Sequence, residues 1–136
     1  MPTLDRVLGF SNRWYPLAIR SAESVMLPST TQIRVISAPA FLATKLEAFS
    51  HRGNDDYLFS HDLGDLIAVI DGRETLIAEC KLDDAALRTF LREWMSRLLD
   101  SHRFMEALPG HLPTDAGSQA RMPELIEKLR ILAGLT

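Results

Sequence analysis

Three side chains combine residue type and spacing in a way that suits chemistry: Lys45 in APAFLATKLEAF, and Asp62 and Asp65 in SHDLGDLIAVID. At about 100° per residue, a helix through the first segment puts Phe41, Leu42, Leu46, Ala48 and Phe49 on one arc with Lys45 near its centre. A lysine there lays its methylenes on apolar neighbours and delivers its ammonium to a pocket or partner, because a buried, unpaired charge is costly. The same placement equally describes a lysine snorkelling at the rim of a core. Asp62 falls at the edge of an apolar stripe beside Leu66 and Val69, and Asp65 further round the same side. Two carboxylates three apart on a helix serve a cation, orient a phosphate held by a lysine, or act as a base near a hydroxyl. Acids in a first helical turn also offset the positive end of the helix dipole, worth about 0.3 to 1 kcal/mol each. That structural role is favoured for Asp65, while for Asp62 the two readings balance. Together the three residues point to a site for a phosphate-bearing ligand.

The other reactive residue types carry less. His51 and the His61-Asp62 pair invite comparison with metal-dependent phosphohydrolases, but both histidines flank one loop whereas such sites draw ligands from separate helices. This is the remotest reading. His102 and His111 have no companion at metal-ligand spacing, so surface or loop roles are expected. There is no Gly-rich phosphate loop, G-x-S-x-G elbow or C-x-x-C. Trp94 and the leucines around it read as core rather than as a stacking platform.

The elements that must position Lys45 and the two acids follow from caps and periodicity. Ser11 and Asn12 cap a short helix through Trp14, Leu17, Ala18 and Ile19. A β-hairpin comes next, with Val25 and Leu27 on one strand, a turn at Pro28, Ser29 and Thr30, and Ile33 and Val35 on the other. Ser37 caps the lysine helix, with Pro39 in its first turn, and that helix runs to about Ser50. Ser60 caps the acidic helix, whose Leu63, Leu66, Ile67 and Ile70 form one stripe and whose end is a C-cap turn at Asp71-Gly72. A short helix is predicted at 74–80. The longest element starts at Asp83 or Asp84 and carries Leu87, Leu91, Trp94, Leu98, Met105 and Leu108 on one face until Pro109-Gly110 stops it. Ser118 and Pro123 introduce a last helix through Leu125, Ile126, Leu129 and Leu132, closing near Gly134. One hairpin followed by about five helices makes an α+β domain, predominantly α. Two strands do not make an independent sheet, so helices cover them or a further strand pairs with them.

Size and composition bound these readings. A chain of 136 residues is a single domain, 1–136, with a strand, helix and hairpin part at 1–36 and a helical part at 37–136. Its 46% hydrophobic and 24% charged residues are ordinary for a globular protein. A formal charge of -3 and a pI near 5.8 give no global attraction for nucleic acid or an anionic membrane, although a local basic site remains compatible. The single cysteine, Cys80, excludes an intramolecular disulfide framework and a cysteine-based zinc cage, which fits a reducing cytoplasm. No apolar run reaches the length of a membrane span, and MPTLDRVLGF lacks the pattern of a signal peptide. A cytoplasmic protein is expected.

At LGFSNRWYPLAIRSAE, APAFLATKLEAF and HRGNDDYLFSHDLGDLIAVIDGR the sequence resembles the later part of AbiEii-type nucleotidyltransferases, in the DNA polymerase beta-like superfamily. The likeness extends through DAGSQARMPELIEKLR and implies a partial nucleotidyltransferase fold. It also implies that Lys45, with Arg52, contacts nucleotide phosphates, that Asp62 and Asp65 support the site, and that the complete enzyme uses Mg2+ and an NTP. The family places a Gly-Ser or Gly-Gly turn and a metal-holding Asp-x-Asp pair on early strands, and this sequence has neither there. The resemblance therefore implies a C-terminal piece that binds nucleotide but transfers none alone, because no metal clamp aligns the triphosphate. A missing N-terminal segment or a partner chain would complete it. The other reading from the residues is a stand-alone binding or interaction module that hides its hairpin edge as a homodimer.

Overall fold

In the computed structural model the described residues are Trp14, Pro16, 23–26, 28–29, 32–52 and 56–135. The short helix expected around Trp14 lies outside them apart from Trp14 and Pro16. The described chain is predominantly helical. Strands β1 (Glu23–Met26) and β2 (Gln32–Val35) pair antiparallel with Val25 opposite Ile33. Helix α1 (Ala38–Arg52) opens at Ser37, whose hydroxyl accepts from the Ala40 amide at 3.3 Å, with Pro39 in the first turn where no intrahelical N–H is required. Helix α2 (His61–Gly72) opens at Ser60, whose hydroxyl accepts from the Leu63 amide. There follow α3 (Leu76–Lys81), α4 (Ala85–Asp100), α5 (His102–Ala107), a 3-10 turn (Leu108–His111), α6 (Ala116–Gln119) and α7 (Met122–Leu132).

The core is one cluster built from the apolar stripes. Leu42, Leu46 and Phe49 of α1 meet Leu63, Leu66, Ile67 and Ile70 of α2, Leu87, Leu91, Met95 and Leu98 of α4, and Leu125 and Leu129 of α7. Helix α1 packs against α2, α3 and α4, and α7 packs against the same three. Burying each such leucine or isoleucine contributes about 1.5–3 kcal/mol, so α1 and α2, the helices carrying the candidate residues, are set firmly against each other. Among the described residues no helix is long and apolar enough to cross a membrane.

Among the described residues seven α-helices follow the strand pair instead of about five, because two expected helices are interrupted. The element expected from 83 to 108 breaks at Ser101 (φ -85°, ψ 114°). Its amide donates to Leu98 at 3.0 Å, closing α4, and its hydroxyl accepts from the Phe104 amide at 3.2 Å, opening α5. A serine hydroxyl substitutes for a helical hydrogen bond in this way, and apolar spacing alone carries no trace of it. The buried position moves by one residue in consequence: Phe104 is fully buried, and Met105, expected inward, is half-buried.

The last helix is preceded by the separate α6, which Asp115 caps through the Ser118 amide at 2.9 Å, so Ser118 lies within α6 and does not open α7. Helix α7 does close at Gly134. Its φ of 75° sets up a Schellman turn, with Gly134 N–H donating to Ile131 and Leu135 N–H to Arg130. No such turn ends α2, since Gly72 remains helical and Arg73 leaves in extended conformation. Glu74 and Thr75 form a turn ahead of α3, which starts two residues later than expected.

Candidate functional site

Packing α1 along α2 brings the C-terminal half of the first helix to the N-terminal half of the second. Asp62 is the buried member, with its side chain 6% exposed. Arg52, the last residue of α1, forks onto it, Nε to Oδ2 at 3.0 Å and Nη2 to Oδ1 at 2.9 Å. Lys45 Nζ lies 3.8 Å from Oδ1 of Asp62 and 2.8 Å from Oδ2 of Asp65. The Phe41 ring supports the ammonium, 5.4 Å from its centroid. All four residues selected from the sequence therefore meet in one cluster.

The position of Lys45 differs from the expected one. With three helices packed around it, α1 buries Ala40, Ala43 and Thr44 as well as Leu42, Leu46, Ala48 and Phe49. Lys45 occupies a gap in this cover, 24% exposed, rather than the centre of an apolar arc. Its ammonium is met by the acids of α2. Asp65, half exposed and read as a dipole-offsetting acid, makes the shortest ion pair of the cluster.

Among the described residues the cluster sets two cations against two carboxylates. The forked Arg52–Asp62 pair is its fixed part: parallel charge-assisted bonds hold a buried carboxylate, and removing the guanidinium would leave that carboxylate poorly satisfied. The Lys45–Asp65 pair is nearer solvent and contributes less to stability, about 0–1 kcal/mol.

No protein-family model, curated protein or solved structure matches the chain. The site's chemistry therefore has to be read from its own geometry. Magnesium, implied by the nucleotidyltransferase resemblance, finds no resident site in it, because both oxygens of Asp62 face Arg52 and Asp65 holds Lys45. Among the described residues no group of three or more His, Cys, Asp or Glu is placed to hold a metal ion.

The histidines are dispersed. His51 Nε2 lies 3.3 Å from Glu47 Oε1 one turn back, and His61 is exposed at the start of α2. His102 pairs with Glu106 on the surface. His111 has more than a loop role, since its Nε2 lies 2.6 Å from the Tyr57 carbonyl and ties the 3-10 turn to the approach of α2. Trp94 is half-buried, edge-on to Phe49 and under the Arg97 guanidinium.

A second cluster, at the other end of α2, is absent from the sequence reading. Arg121 forks onto Asp71, with Nε to Oδ1 at 3.1 Å and Nη2 to Oδ2 at 2.8 Å. Lys128 of α7 donates to the Ile70 and Asp71 carbonyls at 3.3 and 3.1 Å, satisfying acceptors that the helix end leaves free. The hydrogen bond from Arg121, with the nearby charges of Arg121 and Lys128, holds the Asp71 carboxyl below its ordinary pKa despite burial acting the other way. One signal of this is legible in the sequence: an aspartate in a last helical turn faces the negative end of the dipole and calls for a cationic partner.

Proposed function

We propose that the α1–α2 cluster is a nucleotide-phosphate subsite in a nucleotidyltransferase-like protein that transfers no nucleotide by itself. The observation that carries this reading is the convergence of Lys45, Arg52, Asp62 and Asp65, from two helices, with Lys45 and Asp65 open to solvent. In it the Arg52–Asp62 fork fixes the floor, Lys45 leaves Asp65 to meet a phosphate oxygen, and the freed Asp65 accepts from a ligand hydroxyl. The strand pair ahead of α1 is read as the remaining edge of the nucleotidyltransferase sheet. The pairing of Asp62 with Arg52 and of Asp65 with Lys45 supports the lack of transfer, since carboxylates so engaged do not make a metal clamp.

Calorimetry with each NTP, with and without magnesium, tests the binding half. The expected result is measurable binding that weakens at least roughly tenfold in Lys45→Ala, the scale of one lost charge-assisted contact. No heat with any NTP overturns the subsite. Incorporation of labelled NTP into RNA or into the protein, lost in Lys45→Ala, overturns the inactive half of the reading.

A second reading is favoured by the charge balance. Two cations set against two carboxylates, counted among the described residues, also describe a clamp holding α1 to α2 in a non-catalytic interaction module. Under that reading Lys45→Ala lowers the melting temperature and no NTP binds.

A further inference from the structure

Away from the α1–α2 cluster, a pocket of about 270 Å³ opens between α3, α4 and α7. Its apolar lining is Ile77, Cys80, Leu91, Ile131 and Leu132, and its charged lining is Lys81, Arg88 and Arg92. Among the described residues no carboxylate lines it. Arg88 and Arg92 are one turn apart on α4, where like charges repel each other, and Lys81 ends α3 on the same rim. Among the described residues none of the three makes an ion pair. Of the carboxylates near them, Glu79 pairs with Arg73, Asp84 accepts from the amides that start α4, and Asp83 accepts from the Asp84 amide.

The backbone contributes to this arrangement. The left-handed Gly134 brings the end of α7 so close to Arg92 that a Cβ there would lie 3.1 Å from Nε. Burial, with the charges of Asp83 and Glu79, pushes the Cys80 thiol up to about 12, so it serves the pocket as a neutral apolar wall.

We propose that this pocket binds a small amphipathic anion, an apolar body of about eight carbons bearing a carboxylate or phosphate headgroup. The apolar floor takes the body, and Lys81, Arg88 and Arg92 take the headgroup, the two guanidiniums offering planar forks that match an oxyanion. The volume matches such a ligand, being close to the share of roughly nine liquid waters. Three cations that form no ion pair among the described residues, on one apolar rim, make a charge pattern complementary to the ligand before the ligand arrives.

The experiment is a heteronuclear NMR titration of the full chain with octanoate, octyl phosphate, octanol and inorganic phosphate. Octanoate or octyl phosphate is expected to shift the amides of Ile77, Leu91, Ile131 and Leu132, and the tighter of the two names the headgroup. Octanol and inorganic phosphate are each expected to bind at least about tenfold more weakly, as each offers only half of the recognition. The double substitution Arg88→Gln, Arg92→Gln, at two exposed positions that leave the core untouched, is expected to cut octanoate affinity by a similar factor with an unchanged amide spectrum elsewhere. No shift at those amides with either amphiphile up to about 5 mM overturns the proposal, since that bounds the binding free energy to less than roughly 3 kcal/mol. Equal binding of octanol, or an unaffected double variant, overturns it as well.

Discussion

At the scale of single residues, the two acids at the ends of α2 show how differently a carboxylate can be used. Asp62 is buried and forked by Arg52 at the helix start, where the dipole favours it; Asp71 sits at the helix end, where the dipole opposes it and Arg121 with Lys128 must compensate. Because its folded-state pKa is depressed, Asp71 contributes stability that is fully present above its ordinary value of 3.8 and is lost as pH falls through the lower, folded value. Asp71→Asn is therefore expected to destabilise the protein at neutral pH, and the difference from wild type is expected to shrink as pH falls below about 4. Urea denaturation from neutral to strongly acidic pH measures this; a difference that stays constant with pH would show that the Arg121 pair is not its source. The sequence disclosed half of this picture. Lys45, Asp62 and Asp65 stood out because helical spacing put polar groups on or near apolar faces, whereas Arg121 and Lys128 reach α2 across some fifty residues of chain, and spacing says nothing about such partners.

At the scale of elements, the break at Ser101 is the feature that apolar periodicity misread. Leu87, Leu91, Leu98 and Leu108 of the expected stripe are buried, Trp94 is half-buried beside a fully buried Met95, and the helix itself breaks at a serine that both closes α4 and opens α5. Ser101→Ala removes the hydroxyl acceptor for the Phe104 amide and is expected to cost about 1 kcal/mol, read as a lower urea midpoint at unchanged slope. Asp at this position, a comparable cap, is expected to restore most of it; failure of the restoration would assign the loss to packing of α5. Legibility across the other elements follows the same rule. The starts at Ser37 and Ser60 were readable because a capping hydroxyl announces itself just ahead of an apolar stripe. The end of α2 was not, because Gly72 resembles a C-cap, while the acceptors of that end are met by Lys128 from α7.

At the scale of the whole molecule, a chain of net charge -3 distributes its cations unevenly. Lys45, Arg52 and Arg121 spend their charge on carboxylates at the two ends of α2, and Lys81, Arg88 and Arg92 gather on one apolar rim that no carboxylate of the described residues lines. The two ends of α2 have a further consequence. The helix is pinned at its start by the Ser60 cap, Arg52 and Lys45, and at its finish by Arg121 and Lys128, while its middle carries Leu63, Leu66, Ile67 and Ile70 into the core. Fraying from either end therefore requires breaking contacts to a different neighbouring helix. Amide exchange with deuterium is expected to be slowest at Leu66, Ile67 and Ile70, at rates close to those set by global opening, and faster throughout α5 and α6. Earlier exchange in α2 than in α4 would refute the order. If the order holds, α2 is the part of the fold that outlasts its surroundings, and the residues it carries at either end are the last to lose their relative positions when the chain opens.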